Sequence, residues 1–126
     1  MGYTTEFHGA LVFTEALNRK AVDVMDSLLG EDLRELSDID SGGMTWVDLE
    51  YDDEENALSW DGSEKTYDLP EKIDLVLCEM RKVQPTLNLE GEMFASGEKC
   101  GDIWFIEMRN GSATALEAAI TKGDPR

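Results

Sequence analysis

The chain has 126 residues and a formal charge of −17, from 28 acidic and 11 basic side chains. That is length enough for one domain with a real core and too little for two. Its hydrophobic content of 41% excludes wholesale disorder, and its carboxylate excess excludes direct binding to nucleic acid or an anionic membrane while favouring basic protein surfaces.

Residues 1–126 are expected to form a single domain, with 121–126 as a flexible tail. No apolar run reaches the roughly 18 residues of a membrane span, and "MGYTTEFHGALVF" lacks the basic start and apolar block of a secretion signal. A cytoplasmic location is expected. Gly2 follows Met1, but Glu6 stands where a myristoylation site takes Ser or Thr. Cys78 and Cys100 lie 22 residues apart without a CxxC spacing and read as free thiols.

Alternation over residues 3–13 predicts the first strand, with Tyr3, Thr5, Phe7, Gly9, Leu11 and Phe13 on one face. Leu17, Ala21, Val24, Met25 and Leu28 recur at helical steps, and Gly30 suits a helix end, so a helix is predicted over 15–29. A helical turn follows at "EDLREL". From Met44 to Tyr51, the acids Asp48 and Glu50 share a face with Met44 and Trp46, opposite Thr45, Val47, Leu49 and Tyr51. "DDEEN" then turns the chain into "ALSW", which makes a hairpin with an acidic tip, and Asp61-Gly62 marks the next turn.

Pro70 opens a second helix with Ile73, Val76, Leu77, Met80 and Val83 on one face, ending near Gln84 because Pro85 forbids its continuation. "TLNLEGEMFA", "DIWFIEMR" and "SATALEA" read as strands, the last two joined at Asn110-Gly111. The order predicts an α+β fold, an antiparallel sheet with two helices on one face. This is a ferredoxin-like variant, β-α-β-β-α-β-β with an extra C-terminal strand.

Charge is concentrated in residues 31–74, where 16 acids stand against Arg34, Lys65 and Lys72, leaving −13 of the total. The densest part is "DLEYDDEEN", Asp48 to Asn56. Glu50, Asp52, Asp53, Glu54 and Glu55 are the first candidates for partner contacts, with Asp38, Asp40 and Asp48 next. "DIDSGG" begins like a calcium loop, with Asp38, Asp40 and Gly43 at positions 1, 3 and 6. It fails at position 12, where Leu49 replaces the bidentate Glu.

No metal ligand set, cofactor motif or catalytic constellation follows from the remaining residues. His8 is the sole histidine and reads as a packed or edge residue of its strand. Trp46, Trp60 and Trp104 fall in predicted strands, and core packing is a better reading than base stacking beside so many acids. With 28 acids, a pair of carboxylates carries no information about glycosidic cleavage.

"MGYTTEFHG", "LSWDGSEKTYDLPEKIDLVLCEM" and "LNLEGEMFASGEKCGDIWFIEMRNG" resemble a loose family of small bacteriophage and prophage proteins. These begin MGYxTxFxG and carry W-x-G-x-EK-x-Y before a helix. The resemblance implies a viral origin and no catalytic residue. The region between the first strand and Trp46 departs from the family pattern, and no binding residue is carried across it. Within the shared motifs, Gly9, Gly62 and Gly91 suit turns or close strand approach, and Trp60 and Tyr67 suit the core under the second helix.

By general character the chain is similar to anti-CRISPR proteins and DNA mimics. The expected function is therefore a non-enzymatic viral inhibitor, whose acidic surface occupies a basic nucleic-acid-binding groove of a host defence complex. The alternative is a phage accessory protein that binds through an apolar sheet face or a strand edge, with the charge serving solubility. A small carboxylate enzyme or cation binder is a third class. Pairing of an edge strand would give a homodimer.

Overall fold

The computed structural model describes residues 5–35, 46–63, 68–97 and 103–117. In chain order the elements are β1 (Thr5–Phe13), α1 (Arg19–Leu28), a 3₁₀ turn (Leu33–Glu35), β2 (Leu49–Asp52), β3 (Ala57–Trp60), α2 (Leu69–Arg81), β4 (Leu89–Gly97), β5 (Ile103–Arg109) and β6 (Ser112–Glu117). The strands form one antiparallel sheet in the order β2-β3-β1-β4-β5-β6. The expected element order is present, including the extra C-terminal strand. Tyr3, Asp38, Asp40, Gly43, Lys65, Tyr67, Cys100 and the 121–126 tail lie outside the described residues.

Alternation gives the sheet two unlike faces. Phe7, Leu11, Phe13, Leu49, Leu58, Leu89, Met93, Ala95, Ile106 and Ala113 point one way. They share a single buried cluster with Ala21, Met25 and Leu28 of α1 and with Leu69, Ile73, Val76, Leu77 and Met80 of α2. Each such aliphatic side chain removed from water stabilises the fold by roughly 1.5–3 kcal/mol, so both helices are held on this one face. Phe7 sits between Trp60 and Trp104, its ring centroid 5.6 Å from each in edge-on geometry.

The strongest pairing is β1 with β4, in register from Thr5–Gly97 to Phe13–Leu89. Gly9 and Gly91 lie within it at φ +92° and +110°, and a Cβ on either would stand 3.0 or 3.2 Å from a backbone oxygen of the opposite strand. Both positions therefore need glycine for conformation and for space. The β5–β6 turn has Asn110 at φ 53° and Gly111 at φ 79°, the two positive values that a tight two-residue hairpin takes.

Several details differ from the sequence reading. α1 starts at Arg19 rather than 15, because the Asn18 side chain caps it by accepting from the Ala21 amide at 2.7 Å. The Asn18 amide is at the same time held by Gln84 Oε1 at 2.8 Å. Trp46 is 52% exposed rather than a core residue, since its segment makes only an isolated bridge to Asp32 and does not enter the sheet. His8 is exposed rather than in the core, beside Phe94 on a part of β1 that pairs with β4 and lies beyond the short β1–β3 pairing at Leu11 and Val12. Cys78, by contrast, is the free thiol its spacing suggested, exposed on α2.

No helix among the described residues is long and apolar enough to cross a membrane.

Candidate acidic interface

The β2–β3 hairpin carries the densest acids, and its conformation is fixed from both sides. At the tip, Asp52 Oδ1 accepts from the Glu54 amide at 2.9 Å and the Glu55 amide at 3.3 Å, an Asx-type turn. Asn56 closes the loop at φ 54°. Its side chain accepts from the Tyr51 hydroxyl at 2.6 Å and donates to the Glu15 carbonyl at 2.9 Å. Its carbonyl accepts from the Phe13 amide at 2.9 Å.

Asn56 thus ties the tip to the end of β1. Burial pushes the pKa of the Tyr51 hydroxyl up, with Asp53 and Asp52 adding to the effect, so it stays a donor to Asn56 at neutral pH. Glu50, Asp52, Asp53, Glu54 and Glu55 are all exposed.

Asp48 does not belong to this surface. It is 7% exposed, and its carboxylate lies 3.3 Å from Nζ of Lys72, itself 1% exposed on α2. Strict alternation from Met44 to Tyr51 would have turned Asp48 outward with Glu50. The alternation breaks because the Leu49 amide donates to the Val47 carbonyl two residues back at 2.9 Å, a tight turn that resets the side-chain direction before β2 begins. A buried ammonium then requires the carboxylate where it is.

Arg34, the other described base of the acidic segment, also has an acidic partner, although its side chain is 57% exposed. Arg34 grips Asp32 through Nε at 3.0 Å and a terminal nitrogen at 2.7 Å. That hydrogen bonding holds the Asp32 carboxyl below the usual range against the opposing effect of desolvation. Asp74 faces β6, accepting from Ser112 Oγ at 2.8 Å and the Ala113 amide at 2.6 Å. Within residues 31–74, then, Asp32, Asp48 and Asp74 hold the fold together, and Arg34 and Lys72 are committed to internal partners. Besides Arg34, which stays exposed beside Asp32, the exposed charged groups among the described residues of this segment are carboxylates: Glu31, Glu35, Glu50, Asp52 to Glu55, Asp61, Asp68 and Glu71.

The sheet adds acids that the sequence reading did not single out. Glu50 and Asp52 are on the face turned away from the helices, and so are Glu90 and Glu92 of β4, both exposed. Glu90 pairs with Val12 and Glu92 with Ala10, so the acids of β2 and β4 flank the same stretch of β1. Alternation in "LNLEGEMFA" does place Glu90 and Glu92 opposite Leu89 and Met93. Only strand order sets them on the same sheet face as the hairpin, two strands away.

Among the described residues no group of three or more His, Cys, Asp or Glu side chains is arranged to hold a metal ion. Asp38 and Asp40 are outside the described residues. No protein-family model, curated protein or solved structure matches the chain.

Proposed function

We propose that this chain is a non-enzymatic inhibitor of the anti-CRISPR type, of viral origin, acting in the host cytoplasm. Its acidic surface occupies the basic, nucleic-acid-binding groove of a host defence complex. The carrying observation is the pinned β2–β3 hairpin, where Glu50, Asp52, Asp53, Glu54 and Glu55 stand exposed while Lys72 of the same segment is buried against Asp48 and Arg34 is paired with Asp32. A hairpin backbone already held in place loses little entropy on binding, and its carboxylates displace the same counterions from a Lys/Arg groove that a phosphate row would. The viral origin rests on the resemblance of the three sequence segments. With it goes the finer fold reading: strands β4-β1-β3-β2 with α1 and α2 as a ferredoxin-like unit, extended by β5 and β6.

The test uses the chain as bait in a bacterial lysate, with bound protein eluted along a salt gradient. Capture of a nucleic-acid-binding complex is expected, lost as salt rises, competed by oligonucleotide, and abolished when Asp52, Asp53, Glu54 and Glu55 are changed to Lys. Capture that survives both about 1 M salt, where screening reaches within about 3 Å, and the charge reversal overturns the proposal. That outcome would favour the second reading, apolar contact through a sheet face or strand edge with the charge serving solubility. Phe94 and Phe105, half-buried on the sheet face turned away from the helices, are the observation behind that alternative.

A further inference from the structure

On the sheet face turned away from the helices, the registers align His8 with Phe94, Phe94 with Phe105, and Phe105 with Leu116. These residues form one row across β1, β4, β5 and β6. The ring centroids of His8 and Phe94 are 6.0 Å apart, and those of Phe94 and Phe105 are 5.5 Å apart. None of the four belongs to the buried core.

Acids border the row along the strands. Glu92 and Glu107 face each other one register step away on one side, with Glu90 beyond, while Glu6 lies on the other side at 3.8 Å from His8. Arg109 shares the face, and Glu107 holds its guanidinium at 2.6 Å. Glu6, Glu90 and Glu92 are exposed. An aromatic and aliphatic row with carboxylates on both sides is complementary to an apolar stripe with cations on both sides.

We propose that this face docks a basic amphipathic helix of a protein partner, with its apolar stripe along the His8–Phe94–Phe105–Leu116 row and its Lys/Arg flanks over Glu6, Glu90 and Glu92. The dimensions agree. Four strands at about 4.8 Å spacing set a row of about 14 Å, which a helix rising 1.5 Å per residue spans in about ten residues, enough to lay down side chains at i, i+3, i+4 and i+7. In taking the partner as basic, this inference rests on the function proposed above, and it moves the specific contact from the hairpin tip to the sheet.

The experiment titrates two synthetic helical peptides of equal positive charge into the isotopically labelled protein. One has Leu at i, i+3, i+4 and i+7; the other has Ala at those positions. Binding at least tenfold tighter for the Leu peptide is expected, with amide shifts centred on β1, β4 and β5. The preference should disappear in the F94T/F105T variant, and both peptides should weaken in E90K/E92K.

Equal affinity of the two peptides, with shifts confined to residues 52–55, would overturn the docking face and leave the acidic-surface function standing. Tight Leu-peptide binding indifferent to E90K/E92K would overturn the basic character of the partner. No binding of either peptide would overturn the docking helix, while the lysate capture above still judges the function. Because the peptide comparison is made on the parent chain, it stands even where F94T/F105T fails to fold.

Discussion

Burying an ammonium group under a helix costs several kcal/mol unless an anion accompanies it, and Lys72 has Asp48 for that purpose at 3.3 Å. Removing one partner strands the other charge away from water. Lys72→Met is therefore expected to cost roughly 3–5 kcal/mol, and Asp48→Leu a comparable amount, whereas the two combined should recover most of the loss. Urea unfolding of the four proteins at neutral pH measures the cycle, and additive losses in the double variant would refute a coupled pair. Asp48 also marks where residue-level reading stops: its spacing from Glu50 suggests a shared outward face, and a single backbone hydrogen bond from Leu49 to Val47 reverses it.

Strand pairing decides which glycines matter. Gly9 and Gly91 occur in apolar-polar alternation that any residue would seem able to continue, yet each combines positive φ with a close backbone oxygen from the neighbouring strand. Gly9→Ala is expected to destabilise by roughly 2–3 kcal/mol, from backbone strain and the 3.0 Å approach to the Glu92 carbonyl. Gly62 has positive φ with open space around it, so Gly62→Ala carries only the conformational part and should cost less. Denaturant midpoints for the two variants compare them directly, and equal losses would show that crowding between β1 and β4 contributes nothing. Helix limits follow the same logic, since α1 begins where Asn18 can cap it and also bond Gln84, 66 residues away.

At the scale of the whole molecule, a charge of −17 on one small body opposes its own folding by self-repulsion. Of the two described bases in the acidic segment, Lys72 is buried against Asp48 and Arg34 is paired with Asp32, so neither is directed at the hairpin carboxylates. Stability should accordingly rise with ionic strength, as the screening length falls from about 30 Å at 0.01 M to about 3 Å at 1 M. Thermal unfolding in sodium chloride and in choline chloride is expected to shift upward by the same amount in both salts. A gain with sodium alone would indicate a bound cation in place of screening. Changing Asp53 and Glu54 to Lys should raise the melting temperature at low salt and reduce its salt dependence.

By itself the sequence determined the elements, their order, most inward residues of β1, α1 and α2, and the concentration of charge in residues 31–74. These depend on local periodicity, on Pro70, Pro85 and the Asn110-Gly111 turn, and on composition, all of which act over a few residues. Tertiary structure decided which acids are surface and which are scaffold, turning Asp32, Asp48 and Asp74 to internal partners and leaving Trp46 and His8 exposed. It also laid β1 between β3 and β4. That placement brings Glu90 and Glu92 onto the hairpin's face and aligns His8, Phe94, Phe105 and Leu116 into one row. The physical reason is register: hydrogen bonding between strands far apart in the chain fixes which side chains become neighbours, and no periodicity within one strand encodes its partner.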